Sequence, residues 1–131
     1  MKDANDPWSI SLRRLSAGPP LWIVPDGILS VRWEPQGTSN PRRRDGMNFA
    51  ETEAVAFVRR HLERALRGVR DPRVHRRLER LNQAPEFVAL VLEIGGEHGH
   101  PVVYVKWVLS PPGKPPAVWF LSFHPSMRIP R

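Results

Sequence analysis

The spacing of apolar residues changes several times along the chain. Residues 1–20 mix polar residues, Gly and Pro without sustained periodicity and predict a loosely held N-terminal arm. Residues 21–24 and 28–33 are β-prone runs on either side of Pro25-Asp26-Gly27. That tripeptide supplies a fixed φ, a local side-chain acceptor and a residue tolerant of positive φ, so a hairpin or a bent strand is expected. Residues 34–47 are turn formers around Arg42, Arg43 and Arg44, whose adjacent like charges belong in a solvated loop.

From Asn48 the period lengthens. Ala54, Val55, Val58, Leu62, Ala65 and Leu66 recur at helical spacing, with Glu51, Glu53, Arg59, Arg60 and Glu63 between them. Asn48 with Glu51 resembles a capping box and Gly68 suits the position after the last turn, so a helix over 48–67 is predicted. Asp71-Pro72 reads as an N-cap followed by an N1 proline, and Val74, Leu78 and Leu81 make a narrower stripe that predicts a second, shorter helix. Residues 87–94, 102–109 and 118–124 then read as three strands, separated by Gly- and Pro-rich turns. A strand or hairpin, two helices and a three-stranded antiparallel sheet define an α+β layer arrangement, with residues 21–131 as a single domain behind the arm.

A chain of 131 residues supports one core. No apolar run of membrane-spanning length and no leader pattern stands in the sequence, so a cytoplasmic protein without membrane contact is expected. The absence of cysteine excludes disulfides, thiolate zinc sites and a thiol nucleophile. The formal charge is +7, and 17 of the 20 basic residues are arginine. Guanidinium groups suit phosphate, which points to nucleic acid; a G+C-rich genome would produce the same arginine and proline excess without that meaning.

Alternation across the strands sorts their side chains. Val88, Leu90, Leu92 and Ile94, then Val103, Val105, Trp107 and Leu109, then Trp119, Leu121 and Phe123 make the core set, which takes in Trp107 and Trp119. Opposite lie Glu93, Tyr104, Lys106, Ser122 and His124, walled by Phe87 and Phe120. Pairing the strands in sequence brings Tyr104 near Glu93 on one side and near Ser122 on the other, with Lys106 and His124 on the same face. A carboxylate, a phenol, an ammonium and an imidazole are the groups an RNA-cleaving site needs: a base for the 2′-hydroxyl, an acid for the 5′-leaving oxygen, and cations for the phosphorane. An ordinary solvated sheet face carries the same residue types.

The stretch 102–124 resembles the closing strands of the RelE-like messenger-RNA interferases, above all those of the motility quorum-sensing regulator type. Val103-Tyr104-Val105-Lys106 and Leu121-Ser122-Phe123-His124 correspond to that family's V-Y-L-K and V-S-F-K segments. The resemblance implies that Tyr104 takes the place of an active-site tyrosine and His124 that of an active-site lysine, in a RelE/barnase-like fold. It also implies RNA as substrate and an antitoxin, or another acidic protein, as partner.

Other constellations compete. Residues 59–80 hold nine arginines against Glu63, Asp71 and Glu79, a phosphate-tracking surface or simply a solvated helical face. Arg70, Arg73, Arg76, Arg77 and Arg80, with Arg42, Arg43 and Arg44, are the candidate nucleic-acid contacts. Arg70 and His75 are similar to the R-x4–6-H signature of HEPN ribonucleases, whose all-helical fold the three strands oppose. Glu97, His98 and His100 lack a second cluster to complete a metal site, and His61 sits beside the apolar stripe as packing. The expectation is a metal-independent endoribonuclease without cofactor, in which His124 is acid or base, Tyr104 orients, Glu93 is a base and Lys106 holds phosphate. The alternative is a non-catalytic module, of phage or mobile-element type, that binds nucleic acid or an acidic protein through its arginines.

Overall fold

A computed structural model describes residues 6–18, 32–33, 51–81, 84, 87–95 and 102–125. The elements are α1 (Pro7–Ala17), β1 (Arg32–Trp33), α2 (Glu51–Leu66), β2 (Val74–Arg80), β3 (Val88–Gly95), β4 (Val102–Leu109) and β5 (Val118–Pro125). They build an α+β structure. One sheet has the order β1-β5-β4-β3-β2, in which β2 to β5 form an antiparallel meander and β1 joins β5 in parallel.

The first correction concerns the N-terminal arm. Residues 7–17, expected to be loosely held, form α1. The Asp6 carboxylate accepts from the Trp8 and Ser9 amides at 2.9 and 3.0 Å, and Pro7 begins the helix where no N–H is needed. Trp8, Ser11, Leu12 and Leu15 share one side and pack on the sheet. Ser11 is wholly buried and satisfied twice: its hydroxyl donates to the Pro7 carbonyl at 2.7 Å and accepts from the Trp107 indole at 2.8 Å. One turn on, Arg14 donates to the Ser110 and Ala117 carbonyls and to the Ser110 hydroxyl, tying α1 to the Pro-rich β4–β5 turn. Gly113 holds that turn at φ +90°, and the Lys114 amide closes it on the Pro111 carbonyl.

The second correction concerns residues 71–81. They form no helix: residues 74–80 are β2, paired with β3 from Val74↔Ile94 to Arg80↔Val88. Asp71 accepts from the Arg73 amide at 2.9 Å and its carbonyl from the Val74 amide at 3.0 Å, which makes a turn rather than a helix start. Val74 and Leu78 fit a helical spacing, yet they fit the two-residue period of a strand equally well, with Arg76 and Arg80 on the same side. Seven cross-strand pairs satisfy a backbone that an isolated short helix would leave dependent on its narrow stripe.

α2 carries the expected stripe. Ala54, Phe57, Val58, His61 and Leu62 are buried, and His61 meets the Phe57 ring edge-on at 4.8 Å. The expected capping box at Asn48 lies outside the described residues. At the other end the Gly68 amide donates to Ala65 and the Val69 amide to Arg64, with Gly68 at φ +82°, the paired bonds of a Schellman end.

The third correction concerns β5. The register of β4 with β5 slips between Lys106 and Trp107, so Lys106 pairs with Ser122 while Trp107 pairs with Phe120. Leu121 is the extra residue of a bulge. Val118, Phe120 and Phe123 therefore join the helix-facing core, whereas Trp119 and Leu121 turn to the opposite face. There they meet Ala84, Ala89 and Val108, with Phe87 6.3 Å from Trp119 between ring centroids. Phe120 is thus a core residue and not a wall of the polar patch.

The expected sheet of three strands is one of five, and the expected hairpin at 21–33 lies outside the described residues except for β1. Replacing Ser11 with Ala strands the Trp107 N–H in the core and should lower stability by about 1–3 kcal/mol. Ser16→Ala, on the exposed side, should change it by less than about 0.5 kcal/mol; urea unfolding followed by tryptophan fluorescence distinguishes the two.

Candidate active site

The face of the sheet away from α1 and α2 gathers the polar residues. Antiparallel pairing aligns His75↔Glu93, Glu93↔Tyr104 and Tyr104↔His124, a row of four register positions across β2, β3, β4 and β5. The adjoining row is Arg77↔Val91, Val91↔Lys106 and Lys106↔Ser122. The expected juxtaposition of Glu93 with Tyr104 is present. Tyr104 is aligned with His124 rather than with Ser122, because the bulge falls after Lys106 and leaves the end of β5 in step with β4.

Charge links Arg77, Glu93 and Lys106 of these rows, with Glu79 of β2 as a common partner of Arg77 and Lys106. Arg77 donates to Glu93 at 2.5 Å and to Glu79 at 3.2 Å, so it bridges two carboxylates. Lys106 Nζ lies 3.7 Å from Glu79 and 5.8 Å from the centre of the Tyr104 ring. The Glu93 side chain is only 12% exposed, against 35% for Arg77. Burial works against the Arg77 charge, but the hydrogen bond and field of Glu93, with a smaller share from Glu79, hold its guanidinium above the ordinary value. Val91, wholly buried, lies between Arg77 and Lys106 in the second row. The result is a semi-buried polar patch across β2, β3 and β4. A carboxylate stands one strand spacing from a phenol, with cations on either side.

The remaining predicted contacts are dispersed. Arg76 points to the helix side, where its guanidinium lies 5.2 Å from the Trp8 ring centre. Arg73 is paired with Asp71 through two bonds of 3.1 and 3.0 Å, Arg80 is exposed at the end of β2, and Arg70 lies in the turn before it. Of the candidate nucleic-acid arginines among the described residues, only Arg77 joins Lys106 on the polar face. Arg42, Arg43 and Arg44 lie outside the described residues, as do Glu97, His98 and His100. Among the described residues no three His, Cys, Asp or Glu side chains cluster as a metal site, and no helix is long and apolar enough to cross a membrane.

Two members of the patch, His75 and Glu79, escape a helical reading of residues 71–81. A period-two reading of Val-His-Arg-Arg-Leu-Glu-Arg puts His75, Arg77 and Glu79 on one side and reveals them. The chain matches no protein-family model, no curated protein and no solved structure. The case for function therefore rests on the geometry of the patch.

Two measurements probe these charges. In a double-mutant cycle, Arg77→Gln and Glu93→Gln should couple by about 1 kcal/mol, less than a fully buried pair because a third of the Arg77 side chain meets water. The Arg73 side-chain and backbone hydrogen bonds lower the Asp71 carboxyl from its ordinary 3.8 to about 2. Because the folded value lies below the unfolded one, this contribution to stability is present above about pH 4 and fades as pH falls through about 2. Carboxyl-carbon NMR should give the Asp71 midpoint near 2, and a higher one in Arg73→Ala that stays below the ordinary 3.8 because the amide of residue 73 still donates.

Proposed function

We propose that this protein is a metal-independent endoribonuclease of toxin type whose reacting groups lie on the polar face of the sheet. The observation that carries the reading is the aligned row Glu93–Tyr104–His124, flanked by Arg77 and Lys106. Glu93 and His124 are two strand spacings apart, about 10 Å, with Tyr104 between them. A phosphodiester lying over Tyr104 has a base on one side and an acid on the other. Glu93 takes the 2′-hydroxyl proton, the 2′-oxygen attacks phosphorus, and His124 protonates the departing 5′-oxygen, leaving a 2′,3′-cyclic phosphate. Lys106 and Arg77 stabilise the charge that builds on the phosphorane, and Tyr104 orients the phosphate. The likeness of residues 102–124 to the RelE-like interferases agrees with these roles. It also suggests a cytoplasmic toxin, with an acidic antitoxin covering the face.

One observation favours a second reading. Arg77 and Lys106 are matched by Glu79 and Glu93, so the polar face is nearly neutral, while the excess of arginine lies on and beyond α2 and along the helix side of β2. A non-catalytic protein that binds nucleic acid, or an acidic protein, through those arginines fits that distribution.

Incubation of mixed-sequence RNA with purified protein in EDTA, with and without ribosomes, separates the two. The wild type should cut, and His124→Ala and Glu93→Gln should cut about 100-fold more slowly or worse while circular dichroism shows both folded. A folded wild type that leaves RNA intact under both conditions overturns the ribonuclease and selects the binding protein.

A further inference from the structure

A cleft of about 560 Å³ opens on the helix side of the sheet, between the C-terminal end of α2 and the start of β2. It lies across the sheet from Glu93 and Tyr104, since Arg76 and Arg77, neighbours in β2, point to opposite faces. Its walls include Arg64, Arg70 and Arg76, and its floor includes Ala65, Val69 and Val74.

Three features suit it to an anion with an organic body. The carboxylate in the wall, Asp71, has both oxygens engaged by Arg73, which itself is not a lining residue, and although the field of Arg64 also reaches it, the three lining guanidinium groups outnumber this one acid. The Arg76 guanidinium lies 5.2 Å from the centre of the Trp8 ring, a contact that favours this orientation before any ligand arrives. Val69, the residue after the Gly68 turn, ordinarily packs back onto the last helical turn in this kind of helix end; here it is 45% exposed and lines the cleft. An inorganic phosphate would use the arginines and leave the apolar floor wet. A ligand with a flat group beside its phosphate uses both, and the volume is within the range of sites for small organic molecules.

We propose that this cleft binds a nucleotide unit, its phosphate on Arg64, Arg70 and Arg76 and its base over Val69, Ala65 and Val74. The unit comes either as a free mononucleotide or as part of an RNA strand, and the site stands independently of any cleavage on the other face. Amide chemical shifts of the full chain, titrated with AMP, adenosine, inorganic phosphate and a short 2′-O-methyl RNA that resists cleavage, test the assignment. Saturable shifts at Gly68, Val69, Arg70 and Val74 are expected with AMP, the RNA, or both. AMP binding identifies a mononucleotide site, and binding of the RNA alone identifies a strand-tracking one. Arg64→Gln with Arg70→Gln, both exposed, should leave the fold intact and weaken binding roughly tenfold or more through lost charge-assisted contacts. The assignment is overturned if the shifts map only elsewhere, if the double variant binds as well as wild type, or if adenosine or inorganic phosphate alone binds as tightly as AMP.

Discussion

The buried indole N–H of Trp107 must find an acceptor, and the architecture is organised around the one it has. Trp107 is wholly buried in β4, with Trp8 and Phe120 edge-on at 5.8 and 5.9 Å. An unpaired N–H in such surroundings is costly, and Ser11 answers it from the middle of α1. That bond sets where α1 lies along β4. Arg14, three residues further along, then reaches the carbonyls of the β4–β5 turn. The strand so clamped also presents Tyr104 and Lys106 on its other face. The helix layer thus fixes the polar patch without touching it, by immobilising the backbone that both faces share.

How far such an arrangement is legible beforehand depends on whether a local pattern has a single reading. α2 has one: its stripe is wide and its Gly68 end is chemically specific. In β3 and β4 the few polar residues, Glu93, Tyr104 and Lys106, interrupt otherwise apolar strands, so Glu93 beside Tyr104 follows from antiparallel pairing alone. β5 offers the same reading, yet the bulge at Leu121 inverts its first half, and a bulge leaves no mark inside an apolar run such as 118–121. The two Asp-Pro pairs are the most instructive case. Asp6-Pro7 starts a helix and Asp71-Pro72 a turn into a strand, although the local chemistry is the same. What differs is the partner: α1 has the sheet to cover and a tryptophan to cap, whereas residues 74–80 have an open edge of β3 to satisfy. That partner is not visible from the pair itself, and the misreading of β2 hid His75 and Glu79 from the site.

Charge is sorted by the sheet. On the polar face each cation has a carboxylate within reach, which keeps long side chains ordered over Val91. On the helix side the arginines of α2, the turn and β2 outnumber their acids. Such a division lets one small layer of backbone carry two chemically different surfaces, one ordered by its own ion pairs and one with affinity to spare for anions.

β2 is the outermost of the described strands, and an outer strand ordinarily invites another strand to add to it. Folding the strand back on a second copy about Arg77 would set two Arg77 side chains opposite each other and Arg76 against Leu78. Each Arg77 there is already bonded to Glu79 and Glu93 of its own chain, so the junction would press two finished ion-pair clusters together. The edge therefore resists growth of the sheet through the cost of disturbing those clusters.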